Sequence, residues 1–178
     1  MEKEEHVIVL DNLPNGYPLE RKMMPIAQAI GEKNLTLLEL VPRRGMTFEV
    51  GEKVYIGDGK RDKVYYILGR LQREKLTETA KEHLEKFIEK VVKEREKEFV
   101  EFFNKAEAIN KRVHQLEFLP GLGKKYTKEI LMQREIKKFE SFEDIKKRIP
   151  NLPFPEKTIE KRILLELIGF ERYNLFTH

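Results

Sequence analysis

The fold of the second half of the chain is decided by the stretch Leu116-Glu117-Phe118-Leu119-Pro120-Gly121-Leu122-Gly123-Lys124-Lys125-Tyr126-Thr127-Lys128-Glu129-Ile130. It predicts a Pro-Gly-x-Gly turn between two helices, the second of which begins near Lys124 and turns Ile130 and Leu131 inward. The two glycines let the chain reverse tightly, and they leave backbone N–H groups without side-chain cover where the next helix begins. Such groups attract an anion, and Lys124, Lys125 and Lys128 add positive charge around the same turn. A phosphodiester is therefore the predicted ligand.

This turn resembles the helix-hairpin-helix motif of proteins that bind the nucleic-acid backbone. The motif is a leucine, a proline or similar residue, Gly-hydrophobic-Gly and a basic residue, which here are Leu119, Pro120, Gly121, Leu122, Gly123 and Lys124. The resemblance implies that backbone amides of the turn hold phosphate oxygens without reading bases, with contacts at Gly121, Gly123 and Lys124. The alternative is that the turn only joins two packed helices.

Other kinds of site are excluded by spacing or by composition. A Walker loop requires glycine where Phe118 stands, and a dinucleotide-binding loop requires glycine where Tyr126 stands. The chain has no cysteine, its four histidines are scattered, and its one serine, Ser141, is explained as a helix cap. We therefore predict no catalytic residue, no metal site and no cofactor.

A second hairpin is expected downstream, at residues 150–157, because tandem helix-hairpin-helix domains place one there. Ser141 is predicted to begin the helix that precedes it. Residues 150–157 contain neither glycine of the motif, and Pro153 and Pro155 lack the N–H group that a phosphate needs. We expect this second turn to support packing and to leave phosphate contacts to the first.

The positive charge of the chain is concentrated in its second half. Residues 1–103 hold 19 Lys and Arg against 20 Asp and Glu, whereas residues 104–178 hold 16 against 11, a net of +5. Chance variation in a charge-rich chain is the alternative explanation. The asymmetry directs the search for a binding site to residues 105–178, which we predict to form an all-α helix-hairpin-helix domain.

The first 76 residues predict a small β-rich, barrel-like domain of the OB-like kind. Turn residues separate five short apolar runs, at residues 6–11, 26–30, 35–41, 53–56 and 64–71. The run 26–30 also permits a helical turn begun by Pro25. The last two runs, joined by a connection that contains Asp58-Gly59, predict a β-hairpin.

Such barrels bind single strands through aromatic and basic residues. Tyr55, Lys60 and Arg61 are the candidate contacts in this half, although tyrosines in such a place more often fill or rim a core. Strand alternation places Tyr65 and Tyr66 on opposite faces, so that at most one of that pair can stack outward.

A long amphipathic helix, or two nearly continuous ones, is predicted over residues 77–104 as the connection between the two domains. Thr77 is its expected N-cap, and apolar residues recur at steps of three and four as far as Leu116. A coiled-coil dimer is the alternative, but one apolar stripe beside a small barrel favours packing on the same chain, so we expect a monomer.

The composition describes a folded protein and excludes a membrane protein. Of the 178 residues 40% are apolar and 37% are charged, and no apolar run approaches the roughly 18 residues of a membrane span. Glutamate (27) and lysine (23) abound, as is favoured at high growth temperature. We expect a cytoplasmic, thermophile protein without a membrane role.

Taken over nearly all of its length, the chain resembles an uncharacterised archaeal family described as predicted RNA-binding proteins. The resemblance is carried by Asn12-Leu13-Pro14-Asn15-Gly16, Leu37-Leu38-Glu39-Leu40, Val54-Tyr55-Ile56-Gly57, Arg95-Glu96-Lys97-Glu98-Phe99 and the segment Leu119 to Lys125. The resemblance favours RNA over DNA as the ligand. Together with the predicted elements and the absence of catalytic motifs, it leads us to expect an α+β, non-enzymatic nucleic-acid-binding protein. A DNA-binding repair or recombination accessory and a protein–protein adaptor are the alternatives.

Overall fold

The computed structural model describes residues 3–178, which form five strands and five α-helices. The strands are β1 (His6–Leu13), β2 (Ile26–Gly31), β3 (Leu37–Pro42), β4 (Lys53–Tyr55) and β5 (Val64–Arg70). The helices are α1 (Glu78–Glu94), α2 (Glu96–Lys105), α3 (Lys124–Ile136), α4 (Phe142–Arg148) and α5 (Pro155–Ile168), with short 3-10 helices at Arg73–Lys75 and Gln115–Phe118. Two compact units result: a first unit up to Phe87 with Glu166–His178, and a second unit of Ile88–Leu165.

The first unit contains one curled antiparallel sheet with the strand order β4-β1-β2-β3-β5. All five strands that the sequence predicts are present, and residues 26–30 form a strand rather than a helical turn. One face of the sheet carries a buried cluster that contains Val7, Val9, Ala29, Leu40 and Phe48. The sheet remains open along β4 and β5, and it is a half-barrel.

The predicted hairpin between β4 and β5 is wrong. β4 pairs with β1 and β5 pairs with β3, so the two strands lie at opposite edges of the sheet and run in the same direction. Val54 and Ile56 join the buried cluster from one edge and Val64 joins it from the other. Burial of these side chains outweighs the local turn signal of Asp58-Gly59, which serves a longer connection instead.

The expected alternation of Tyr65 and Tyr66 is also wrong, because β5 contains a bulge at this point. Tyr66 pairs with Val41 while Val64 pairs with Pro42, which leaves Tyr65 as the extra residue. A bulge turns a side chain away from strict alternation. Both tyrosines are consequently exposed, and their rings lie in edge contact with centroids 5.3 Å apart.

Thr77 is the N-cap of α1, as predicted, and it also ties the helix to the sheet. Its Oγ1 accepts a 3.0 Å hydrogen bond from Ala80 N and donates a 2.5 Å hydrogen bond to Asp11. The buried side chain of Gln28 accepts from Thr77 N at 3.1 Å and donates to the carbonyl of Lys75 at 2.7 Å. These bonds attach the start of α1 to β1 and β2.

The helices α1 and α2 are the two nearly continuous helices that the sequence permits over residues 77–104, although the apolar spacing continues to Leu116. The helix breaks at Arg95, so that α1 and α2 are separate, and α2 ends at Lys105. Asn110 Oδ1 accepts hydrogen bonds from Arg112 N and Val113 N, a local alternative to helical bonding. The segment 106–114 is therefore irregular, and a 3-10 helix rather than an α-helix precedes the Pro-Gly-x-Gly turn.

Candidate nucleic-acid interface

The Pro-Gly-x-Gly turn is held by two buried leucines. Leu119 ends the 3-10 helix with a hydrogen bond to the carbonyl of Leu116, and Leu122 N donates to Leu119 O at 3.0 Å. Gly121 between them has a φ of +87°, and a Cβ added there would lie 3.3 Å from Cγ of Pro153. A side chain at position 121 would thus be strained and crowded. The turn requires glycine at this position.

The N-terminus of α3 follows the turn and presents bare amides. Gly123 is its N-cap, with no side-chain capping bond, and the first turn of α3 holds no acidic residue. The N–H groups of Gly123, Lys124 and Lys125 donate to no acceptor within residues 3–178. A Cβ on Gly123 would meet nothing within 4 Å, so this face of the turn is open. Unpaired N–H groups at a helix N-terminus form a site for an anion.

The three lysines around the turn differ in their partners. Lys124, 75% exposed, lies 3.2 Å from the carboxylate of Glu117 and donates a 2.5 Å hydrogen bond to the carbonyl of Arg112. Lys125 and Lys128 are exposed and form no ion pair with any residue that the structure describes. The uncompensated charge beside the bare amides therefore belongs to Lys125 and Lys128.

His114 organises the turn from its N-terminal side, although its role was not predicted from the sequence. Its Nδ1 accepts a 3.1 Å hydrogen bond from Leu116 N, and Glu117 accepts a 2.8 Å hydrogen bond from His114 N. Burial, with a smaller effect from Arg134, lowers the pKa of His114. The bond from His114 N, with a smaller effect from Lys124, lowers the pKa of Glu117. The spacing His-x-x-Glu is the capping-box signal that could have identified the pair.

The second turn of this unit shares a hydrogen bond with the first but not its backbone conformation, because Asn151, at the position of Gly121, does not have a positive φ. Ile149 ends α4 with a hydrogen bond to Ile145 O, and Leu152 N donates to Ile149 O at 3.1 Å, as Leu122 N does to Leu119 O. Ser141 caps α4 as predicted, because its hydroxyl accepts from Asp144 N. Proline stands at the position that corresponds to Gly123. The second turn thus keeps the closing hydrogen bond of the first and offers fewer free amides.

The tips of the two turns are in direct contact. The hydroxyl of Tyr126 donates a 2.9 Å hydrogen bond to the carbonyl of Asn151, and Gly121 lies against Pro153. Lys146 donates to the carbonyl of Leu152, and its ammonium lies 4.7 Å from the ring centroid of Phe154. The first turn, with its bare amides, therefore packs directly against the second turn.

The candidate residues of the first unit have mainly local roles. Tyr55 OH accepts a 2.9 Å hydrogen bond from Gly59 N, and its ring is in edge contact with His6. The guanidinium of Arg61 donates to Gly57 O at 2.9 Å. Lys60 is exposed and has no ion-pair partner in the described part of the chain. The structure therefore uses Tyr55 and Arg61 to hold the connection that follows β4.

Known proteins resemble this chain along nearly all of its length. The model of a family described as "Protein of unknown function (DUF655)" matches residues 3–178. The chain belongs to the DUF655 family. A relative from Methanocaldococcus jannaschii, "Uncharacterized protein MJ0038", is 44% identical over 175 residues, which are 97% of this chain and 79% of that protein. The crystal structure of Af1531 from Archaeoglobus fulgidus, also assigned to DUF655, superposes with a TM-score of 0.85 at 44% identity, covering 98% of this chain and 100% of that one.

Two further properties of this DUF655 chain concern membranes and metals. None of its helices within residues 3–178 is long and apolar enough to cross a membrane. The same residues contain no group of three or more His, Asp or Glu side chains arranged to hold a metal ion.

Proposed function

We propose that this DUF655 protein binds nucleic acid, and that its second unit is a helix-hairpin-helix domain that holds the phosphate backbone. The observation that carries the proposal is the open N-terminus of α3, where the amides of Gly123, Lys124 and Lys125 have no acceptor within residues 3–178 and a Cβ added at Gly123 would meet no atom within 4 Å. A phosphate oxygen supplies the missing acceptors. Contacts of this kind position a polymer without reading its sequence.

The distribution of charge supports a polyanionic ligand. The second unit holds 19 Lys and Arg against 14 Asp and Glu, a net of +5, whereas the whole chain has a net of +4. Lys125 and Lys128 place unpaired positive charge next to the free amides. Glu117 compensates Lys124, so we assign the electrostatic contribution chiefly to the other two lysines.

The paired turns support the helix-hairpin-helix assignment. Leu119 with Leu122 and Ile149 with Leu152 form the same hydrogen bond between two helices, and the two turns are in contact. As parts of the same proposal, the protein is a cytoplasmic monomer without enzymatic activity, and its first unit is related to OB-like barrels. RNA is favoured over DNA by the resemblance to predicted RNA-binding proteins.

The proposal is tested by titrating single- and double-stranded RNA and DNA against wild type and Lys125→Glu/Lys128→Glu at several salt concentrations. If both lysines neutralise one phosphate each, the log–log salt slope of the variant becomes shallower by about 1.8 on duplex DNA and about 1.4 on single strands. Affinity should fall for all sequences alike, because phosphate contacts carry no sequence information.

The matched control is Lys97→Glu/Lys105→Glu, which reverses the same number of charges on exposed lysines of α2. It is expected to change affinity and slope much less. An equal loss in both double variants would show a general charge effect rather than a site. Failure of the wild type to bind any of the four polymers at low salt would overturn the proposal. It would favour the alternative that the protein is a protein–protein adaptor.

A further inference from the structure

The first unit presents an aromatic pair at the edge of its sheet that its fold does not bury. The bulge in β5 turns Tyr65 outward beside Tyr66. Tyr65 is 65% exposed to solvent and Tyr66 is 36% exposed. Tyr66 OH donates to the sulfur of Met24 at 3.5 Å, which restrains one ring, and the edge contact at 5.3 Å restrains the other. Two oriented rings therefore stand in solvent.

A groove lies beside the ring of Tyr65. It has a volume of about 390 Å³, and its walls include Pro25, Pro42 and Met46. The charged residues that line the groove are Arg43 and Arg44, and no acidic residue lines it. The surface thus joins an exposed aromatic ring to an apolar floor and two guanidinium groups.

The two arginines carry positive charge that no carboxylate within residues 3–178 compensates. Arg43 donates through Nε to the carbonyl of Arg61 at 2.8 Å, a neutral acceptor that fixes its direction. Arg44 is exposed and has no ion-pair partner among the described residues. Both guanidinium groups therefore remain available for an anionic partner, which Arg binds through several N–H donors.

We propose that this surface, formed by Tyr65, Tyr66, Arg43, Arg44, Pro25 and Met46, binds unpaired nucleobases of single-stranded nucleic acid. A base stacks on Tyr65 over the apolar floor, while Arg44 contacts the adjoining phosphate. Aromatic stacking is available only where the base is not already stacked in a duplex. This inference rests on the proposed function, namely that the chain binds nucleic acid. It adds a preference for single strands over duplexes.

The alternative partner, a peptide strand added to the edge of the sheet, fits this surface less well. The ladder between β3 and β5 shifts register twice, between Glu39 and Leu40 and between Val41 and Pro42. Bulges twist an edge strand away from regular pairing and are one means by which proteins prevent strand addition. The lining of rings and arginines without acids suits a base and a phosphate better.

The local test uses Tyr65→Trp, because the chain has no tryptophan and the new indole is then a unique reporter. Adding single-stranded RNA or DNA should quench its fluorescence, whereas the duplex of the same sequence should not. The control is Tyr173→Trp, at a tyrosine that is 55% exposed and does not line the groove, and it should show little quenching. The RNA and DNA arms show which single strand is preferred.

Affinity provides the second measurement. Tyr65→Ala should lower affinity for single strands at least fivefold and leave duplex affinity unchanged, because the stacking ring is lost. Tyr65→Phe should retain binding, since it keeps the ring, and Arg44→Glu should lower single-strand affinity.

The outcomes separate this inference from the hairpin proposal. If oligonucleotides bind but the indole of Tyr65→Trp is not quenched and Tyr65→Ala keeps wild-type affinity, the inference is overturned and the hairpin proposal stands. If the indole of Tyr65→Trp is quenched and Lys125→Glu/Lys128→Glu keeps wild-type affinity, the inference is supported and the hairpin proposal is overturned. Binding of none of the oligonucleotides would overturn both.

Discussion

The carboxylate of Glu117 lies 3.2 Å from the ammonium of Lys124, the lysine that the motif would assign to phosphate. Glu117 also accepts a hydrogen bond from His114 N and so belongs to the cap of the 3-10 helix. The same carboxylate therefore builds the turn and reduces the positive potential beside it. If the turn binds phosphate as proposed, we expect Glu117 to keep that affinity below what the three lysines would otherwise supply.

Glu117→Gln is expected to tighten nucleic-acid binding. The amide oxygen can still accept from His114 N, whereas the negative charge beside the α3 N-terminus is lost and Lys124 is released. We expect a gain of roughly fivefold at low salt, corresponding to about 1 kcal/mol for one charge near a helix end. Titration with one oligonucleotide measures it, and Glu107→Gln is the matched control on an exposed carboxylate nearby in sequence. Unchanged affinity in Glu117→Gln would contradict the assignment of this pair.

Substitution of each of the two glycines of the turn by alanine should lower the stability of the protein by a different amount. Gly121→Ala forces a side chain into a φ of +87° and against Pro153, which costs about 1–2 kcal/mol. Gly123→Ala enters open space at a φ of −90°, so that it loses only the N-cap preference for glycine, about 0.5–1 kcal/mol of the free energy of unfolding, part of which the reduced entropy of the unfolded chain offsets. Denaturant unfolding of both variants measures the difference. Equal costs would show that Gly121 does not adopt the left-handed conformation.

Stability should decrease as the pH falls below the ordinary histidine pKa of 6.5. Burial lowers the pKa of His114 in the folded protein, so between that lowered pKa and the ordinary one the unfolded chain binds a proton that the folded one does not. His114 therefore makes its full contribution to the free energy of unfolding above the ordinary pKa. That contribution is lost as the pH falls toward the lowered pKa of His114 in the folded protein. Protonation of Nδ1 also removes the acceptor for Leu116 N.

The free energy of unfolding, measured from neutral to mildly acidic pH, checks this in wild type and in His114→Asn. Asparagine retains an N-cap acceptor and does not titrate. The free energy of unfolding of His114→Asn should depend less on pH than that of wild type. The same pH dependence in both proteins would mean that other groups cause it.

Thr77→Ala should destabilise the first unit by about 1–2 kcal/mol, because it removes both the cap of α1 and the bond to Asp11. Thr79→Ala is the control, since Thr79 is an exposed residue in the first turn of the same helix. Thermal or denaturant unfolding measures the two variants. Equal effects would mean that the hydroxyl of Thr77 has no special role.

The strands of the first unit could be predicted from sequence because each combines an apolar run with flanking turn residues. Their pairing could not, because the positions of Val54 and Val64 at opposite edges depend on the cluster that both help to bury. Local turn residues at Asp58-Gly59 point to a hairpin equally well. The bulge at Tyr65 has no signal in the alternation of side chains.

In the second unit the turn at Gly121 and the cap at Ser141 were predictable, because each depends on residues close in sequence. The irregular segment 106–114 was not, since Asn110 competes with helical bonding through a local turn that apolar spacing does not register. The same holds for Lys124, whose partner Glu117 becomes a neighbour only when the turn has formed.

The central claim, that bare amides at the start of α3 bind phosphate, is tested most directly by Gly123→Val. A Cβ at this position enters open space, so the variant is expected to fold, with a loss of about 1 kcal/mol from the poorer N-cap, while its side chain covers the free N–H groups. Affinity should be measured on single- and double-stranded RNA and DNA at low salt. We expect a loss of about tenfold or more, alike for all sequences, for every polymer that the wild type binds, corresponding to about 1.4 kcal/mol of lost charge-assisted hydrogen bonds. Wild-type affinity in a folded Gly123→Val would contradict the claim and reduce the turn to a connector.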